Sequence, residues 1–141
     1  MAQRRRLLAG GPGLWLEARY ASEKTSPREY ERPKYLFQRT LTDTGLKGIL
    51  SEGGTSRWKA VEALAKDLGG TLESYYYAFG DPDLFVVMDL PDNAHASAAS
   101  LIANAPGTTK IKTTVLITLE EVDQATSLAK KTTAAYRPPG Q

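Results

Sequence analysis

Six side chains in this sequence have types and spacing that could build a binding site: Gln38, Glu73, Tyr75, Tyr77, Lys112 and Thr114. Tyr75 and Tyr77 are two apart, as are Lys112 and Thr114, so in extended chain each pair shares a face. Brought together, they would line a largely apolar cavity with a few convergent polar groups, as small-molecule sites do. A lysine buried there beside Glu73 would be open to the pKa tuning that acid–base chemistry needs. The same residues also make sense as cross-strand pairs and as the rim of a subunit contact. His95, the sole histidine, stands in the first turn of a helix, where facing solvent competes with serving a pocket.

Other chemistry is disfavoured. The chain has no cysteine, which excludes disulfides, thiolate nucleophiles and cysteine-ligated metals. One histidine argues against a Ser-His-Asp triad. Asp81, Asp83, Asp89 and Asp92 fit no cation-loop spacing and read as turn and cap residues. Glu52-Gly-Gly-Thr-Ser-Arg57 could hold an anion on free backbone N–H groups at a helix start. It lacks the Gly-Lys-Ser/Thr of a phosphate loop and reads as a helix break with Thr55 as cap. No metal and no cofactor is expected.

These residues have to be positioned by the elements around them. Lys34–Leu41 predicts a first strand, closed by a Thr-Asp-Thr-Gly turn. Leu46, Ile49 and Leu50 mark a short helical piece that Gly53-Gly54 interrupts. Trp58, Val61, Leu64 and Leu68 recur at helical spacing in a second piece, which Gly69-Gly70 ends. Thr71–Phe79 and Leu84–Leu90 are strands joined at Gly80-Asp81-Pro82-Asp83. Pro91-Asp92 opens an alanine-rich helix, with Asp92 as cap, that stops at Pro106-Gly107. Thr109–Ile117 is a fourth strand. Thr118-Leu-Glu-Glu121 is a capping box for a helix running to about Thr132, and Tyr136–Gly140 is a non-helical tail. The order β, α, β, β, α, β, α with right-handed crossovers predicts an α+β, ferredoxin-like βαββαβ domain with an added C-terminal helix. Its sheet should be four-stranded and antiparallel. Strict alternation puts Glu73, Tyr75, Tyr77 and Phe79 on one face of the second strand, and Leu72, Ser74, Tyr76 and Ala78 on the other. It also separates Ile111, Thr113, Val115 and Ile117 from Lys110, Lys112, Thr114 and Leu116. The polar-bearing sets are expected to share the open face. For the first strand, either Tyr35, Phe37 and Arg39 or Leu36, Gln38 and Thr40 could join them.

The net charge of +2 is unevenly spread: residues 1–32 carry +3 and residues 33–141 carry −1. The domain therefore lacks the clustered basic face that nucleic-acid binding requires. Residues 1–32 read as a disordered basic extension, with Trp15 and Tyr20 able to dock loosely. Arg4-Arg5-Arg6-Leu7-Leu8 faintly resembles a targeting segment, but glycines and a proline break the apolar run that follows. No apolar window is long enough to span a membrane, and a cytoplasmic location is expected.

The third strand predicts a partner. Leu84, Val86, Met88 and Leu90 point one way, and Phe85 and Val87 the other, so the strand is apolar on both faces. Leaving Phe85 and Val87 in water would forgo about 3–6 kcal/mol per subunit. The C-terminal helix could cover part of that face; a second copy of the domain could cover all of it. Phe79, Phe85, Val87 and Leu116 are the expected dimer contacts.

Several stretches together resemble the GYD-domain family. Among them are Pro33-Lys-Tyr-Leu-Phe-Gln38, Gly45-Leu-Lys-Gly48, Glu52-Gly-Gly54, Leu68-Gly-Gly70, Tyr76-Tyr-Ala-Phe-Gly80, Asp89-Leu-Pro-Asp-Asn93, Thr118-Leu-Glu-Glu121 and Tyr136-Arg-Pro-Pro-Gly140. The resemblance runs in order from about 33 to 140 and implies a small bacterial protein of the dimeric α/β-barrel group. The family's Gly-Tyr-Asp-like stretch takes the form Gly80-Asp-Pro-Asp83 in this chain, with Pro82 in place of the aromatic. The resemblance implies fold and pairing, and no particular reaction.

Three functions follow from these readings. The first is a homodimeric module that binds a small, partly aromatic ligand at the sheet face. The second is a cofactor-free enzyme, monooxygenase- or isomerase-like, using a tyrosine or lysine of the pocket, which rests on analogy of fold alone. The third is a single-stranded RNA binder stacking bases on sheet aromatics, against which the near-neutral domain and the expected pairing both count. The expectation leans to the binding module, with itself and a small molecule as partners, and with neither nucleic acid nor membrane.

Overall fold

The computed structural model describes residues 32–132 and 136–141. The chain divides after Arg32 into two units, Met1–Arg32 and Pro33–Gln141, and the second of them folds as an α+β domain. The expected behaviour of the basic extension, with Trp15 and Tyr20, falls outside the described residues.

The elements run β1 (Lys34–Leu41), α1 (Asp43–Glu52), α2 (Gly54–Asp67), β2 (Thr71–Tyr77), β3 (Leu84–Asp89), α3 (Asn93–Asn104), β4 (Thr109–Leu116) and α4 (Leu119–Thr132). The sheet order is β2-β3-β1-β4 with every pair antiparallel. Two βαβ crossovers interleave in this way in the ferredoxin-like α+β fold.

Caps explain where the helices start. The Thr42 hydroxyl accepts from the Gly45 N–H and donates to the Gly107 carbonyl, tying the start of α1 to the loop before β4. Asp92 caps α3 through the His95 N–H at 3.0 Å. Thr118 and Glu121 form the reciprocal capping box of α4. The cap expected from Thr55 is not used. The chain turns at Gly53, whose φ of 78° lies in the left-handed region, and α2 begins directly at Gly54 without a side-chain cap.

Tyr35, Phe37, Val86 and Met88 on the central strands bury against Val61 and Ala65 of α2 and Ala96 and Ala99 of α3. The small residues of α3 let it lie close to the sheet. The Tyr35 hydroxyl, the one polar atom of a fully buried ring, donates to Asn93 Oδ1 at 2.8 Å. Gly45 packs so closely that a Cβ there would collide with the Thr108 carbonyl oxygen.

The apolar alternation of β3 is as expected: Leu84, Val86 and Met88 are buried on the helix side, while Phe85 is 36% exposed and Val87 half-buried on the other. α4 buries none of its own residues. Among the described residues no helix is long and apolar enough to cross a membrane.

Candidate functional site

The register decides which face each expected site residue occupies. Gln38 pairs with Lys112, and Leu36 with Thr114, so these four share the open face with Phe85 and Val87. Lys34 joins them and holds Glu73 at 2.6 Å across the sheet. Gln38 and Lys112 line a broad groove of about 420 Å³ with Thr40, Lys110, Asp81 and Pro82.

Tyr75 and Tyr77 do not lie on that face. The β2–β3 register shifts between Leu72 and Ser74. This bulge puts Leu72 and Tyr75 on the same, helix-covered side, where both pack on the core. The expected cavity of Tyr75, Tyr77, Lys112 and Thr114 is therefore corrected: its two halves are on opposite sides of one sheet. Phe79 is also displaced from the expected dimer seam. β2 ends at Tyr77, Phe79 takes a φ of 51°, and its ring stacks on Tyr77 with centroids 5.3 Å apart. Phe85, Val87 and Leu116 do occupy the open face, Leu116 opposite Lys34.

His95 lines none of these spaces. Its Nδ1 is 2.6 Å from Asp92 Oδ1 at the exposed start of α3, and this contact holds the Asp92 carboxyl below its ordinary pKa. Asp83 and Asp89 are structural too. Asp83 accepts from the Leu41 N–H at 2.8 Å, and Asp89 accepts from both the N–H and the hydroxyl of Thr71. Among the described residues no group of three acidic or histidine side chains could hold a metal.

Two further spaces lie on the helix side. Between the sheet and α2 and α3 is a space of about 210 Å³, walled by Phe37, Val61, Leu64, Met88, Ala99 and Ile111. A second space of about 200 Å³ lies beside it under α1, reached by Tyr75, Ile49 and Glu52. Arg39, Arg57, Pro106 and Thr108 belong to both.

Arg39 follows Tyr35 and Phe37 on the helix-facing side of β1. It is only 6% exposed, and its Nε has no hydrogen-bond partner among the described residues. Burial lowers its pKa from the ordinary guanidinium value, with Arg57 acting in the same direction and Tyr75 and Tyr77 opposing. Arg57, at the rim, stands 3.9 Å from Glu52.

The two tyrosines form a chain beside Arg39. The Tyr75 hydroxyl donates to that of Tyr77, which donates to the Gly54 carbonyl, each at 3.3 Å. Burial first, and then the bond to Tyr77, pushes the Tyr75 phenol far above the ordinary phenol range. At neutral pH it can donate a proton to a hydrogen bond but not serve as a base. That Arg39 shares a face with Tyr35 and Phe37 follows from their spacing, but nothing in the sequence marks it as a site residue. The bulge at Glu73-Ser74 has no sequence mark that sets it apart.

The fold and its helix-side cavity define a ferredoxin-like α+β protein. The model of the GYD domain matches residues 35–126, and the chain belongs to that family. It is similar, at 24% identity over 62% of this chain and 91% of the other, to a protein of unknown function from Nitrosomonas europaea known from a crystal structure, with a TM-score of 0.35. No curated protein matches it.

Proposed function

We propose that this GYD-domain protein is a homodimeric small-molecule-binding module whose ligand site lies inside each subunit, between the sheet and helices α2 and α3. The observation that carries this reading is Arg39. Among the described residues its Nε is unpaired and no carboxylate lies within ion-pair distance of it. A guanidinium buried in that state is costly to the fold. It becomes intelligible if a ligand supplies the missing partner. The flanking space suits one: a cavity of about 210 Å³ with an apolar wall and a few polar groups at one end.

The open face supports pairing. Tyr76 is 70% exposed there, beside Phe85, and Leu36, Val87 and Leu116 continue the apolar surface. A second copy laid sheet to sheet would cover these residues and leave the helix-side cavities accessible in both subunits.

Met88 offers a direct test. The chain has two methionines, Met1 and Met88, and Met88 lines the cavity. In protein labelled at the methionine methyl carbon, a panel of small apolar and aromatic compounds should shift the Met88 resonance. Light scattering should report twice the chain mass. A Met88 signal that no compound moves contradicts the cavity reading, and a monomer contradicts the pairing.

A further inference from the structure

We infer that the cavity takes a monoanionic carboxylic acid with a compact apolar body, its carboxylate paired with Arg39. The inference rests on the binding-module reading and specifies the ligand's chemistry.

Charge decides the head group. The polar end where the two spaces meet holds Arg39 and Arg57 against one acid, Glu52, which leaves a single uncompensated positive charge. A monoanion neutralises it. A phosphate dianion would leave net negative charge against an apolar wall, where an unpaired charge is costly. A planar carboxylate also matches the guanidinium fork and can satisfy the idle Nε together with a terminal nitrogen. A neutral ligand would leave the Arg39 charge buried and uncompensated.

The walls decide the body. Phe37, Val61, Leu64, Met88, Ala99 and Ile111 offer no charged group and little hydrogen-bonding capacity. An apolar cavity of about 150 Å³ suffices for benzene, so this space suits one ring on a short linker or a branched chain of similar bulk. Arg57 is partly exposed and paired with Glu52, which places the entry on the α1–α2 side, with the acid held at the inner guanidinium.

The test is calorimetric titration of the full chain with phenylpropionate, phenylpropanamide and phenylethylphosphonate, which share a ring and differ in head group. The acid should bind at least about tenfold more tightly than the amide, as loss of a charged hydrogen-bond partner implies. Arg39→Met should abolish that preference, and Arg39→Lys, which keeps the charge but not the fork, should restore part of it. Circular dichroism of each variant reports whether it is folded. Equal binding of acid and amide, or an acid preference that survives Arg39→Met, overturns the inference while leaving a binding cavity in place. Tighter binding of the phosphonate, titrated at a pH where it is a dianion, overturns the monoanion assignment. No heat from any of the three also overturns the inference, and the Met88 resonance then reports separately whether the cavity binds anything.

Discussion

Asp83 holds the segment that carries Arg39 at two points: its carboxylate accepts from the Leu41 N–H at 2.8 Å, and its own N–H donates to the Arg39 carbonyl at 2.9 Å. The turn Gly80–Asp83 thereby ties down the end of β1, the strand that carries the buried guanidinium. Asp83→Ala should leave the Leu41 N–H without its partner and lower stability by about 1–3 kcal/mol. Asp83→Asn keeps an acceptor and should lose less. Urea denaturation of the two variants checks the order; equal losses would show that the carboxylate oxygen is not what matters.

Tyr75 gives the protein an alkaline signature. Its phenol keeps its proton to higher pH in the folded chain than in the unfolded one. Stability from this group is thus complete below about pH 10, the unfolded value, and is lost as pH rises beyond it, because only the unfolded chain has released the proton. Tyr75→Phe should decline less steeply in denaturation midpoint between about pH 9 and about pH 11. At neutral pH it should lose about 0.5–1.5 kcal/mol with the bond to Tyr77. Matching alkaline slopes for variant and parent would contradict this.

Two glycines of one helix should respond in opposite senses. Gly48→Ala meets nothing within 4 Å and should gain about 0.5–1 kcal/mol from helix propensity. Gly45→Ala drives a methyl group into the Thr108 carbonyl and should lose about 1–3 kcal/mol. Thermal denaturation of the pair distinguishes them, since two gains would mean that the approach of α1 to the loop before β4 is looser than described.

The open face predicts its own variant. Phe85→Glu puts a charge at the centre of the proposed seam, and light scattering should report a monomer whose circular dichroism is unchanged. A folded dimer would move the interface elsewhere. A folded wild-type monomer that retains oligonucleotides in low salt would assign the exposed Tyr76 and Phe85 to base stacking instead.

What the sequence discloses follows from how local each signal is. The two-sided apolar character of β3, the Asp92 cap, the capping box at Thr118 and the small-residue face of α3 are written in adjacent residues, and all appear in the structure as expected. Tyr75 and Tyr77 can be assigned to a common face from their spacing, but not to the correct one. The bulge after Leu72 resets the alternation of β2, and a bulge depends on the partner strand rather than on the residues that form it. Arg39 is silent as a site residue in the sequence for a related reason: its significance lies in the lack of a partner for its Nε, and partners come from elements distant in the chain.

The central claim is that Arg39 serves a ligand rather than the fold, and unliganded stability tests it most directly. Arg39→Met keeps the aliphatic stem and removes an uncompensated buried charge, a change that is often neutral or stabilising. In denaturant unfolding of the ligand-free protein, its free energy of unfolding should equal or exceed that of the wild type. A loss of about 2 kcal/mol or more would mean that the guanidinium holds the structure together, and would contradict the account.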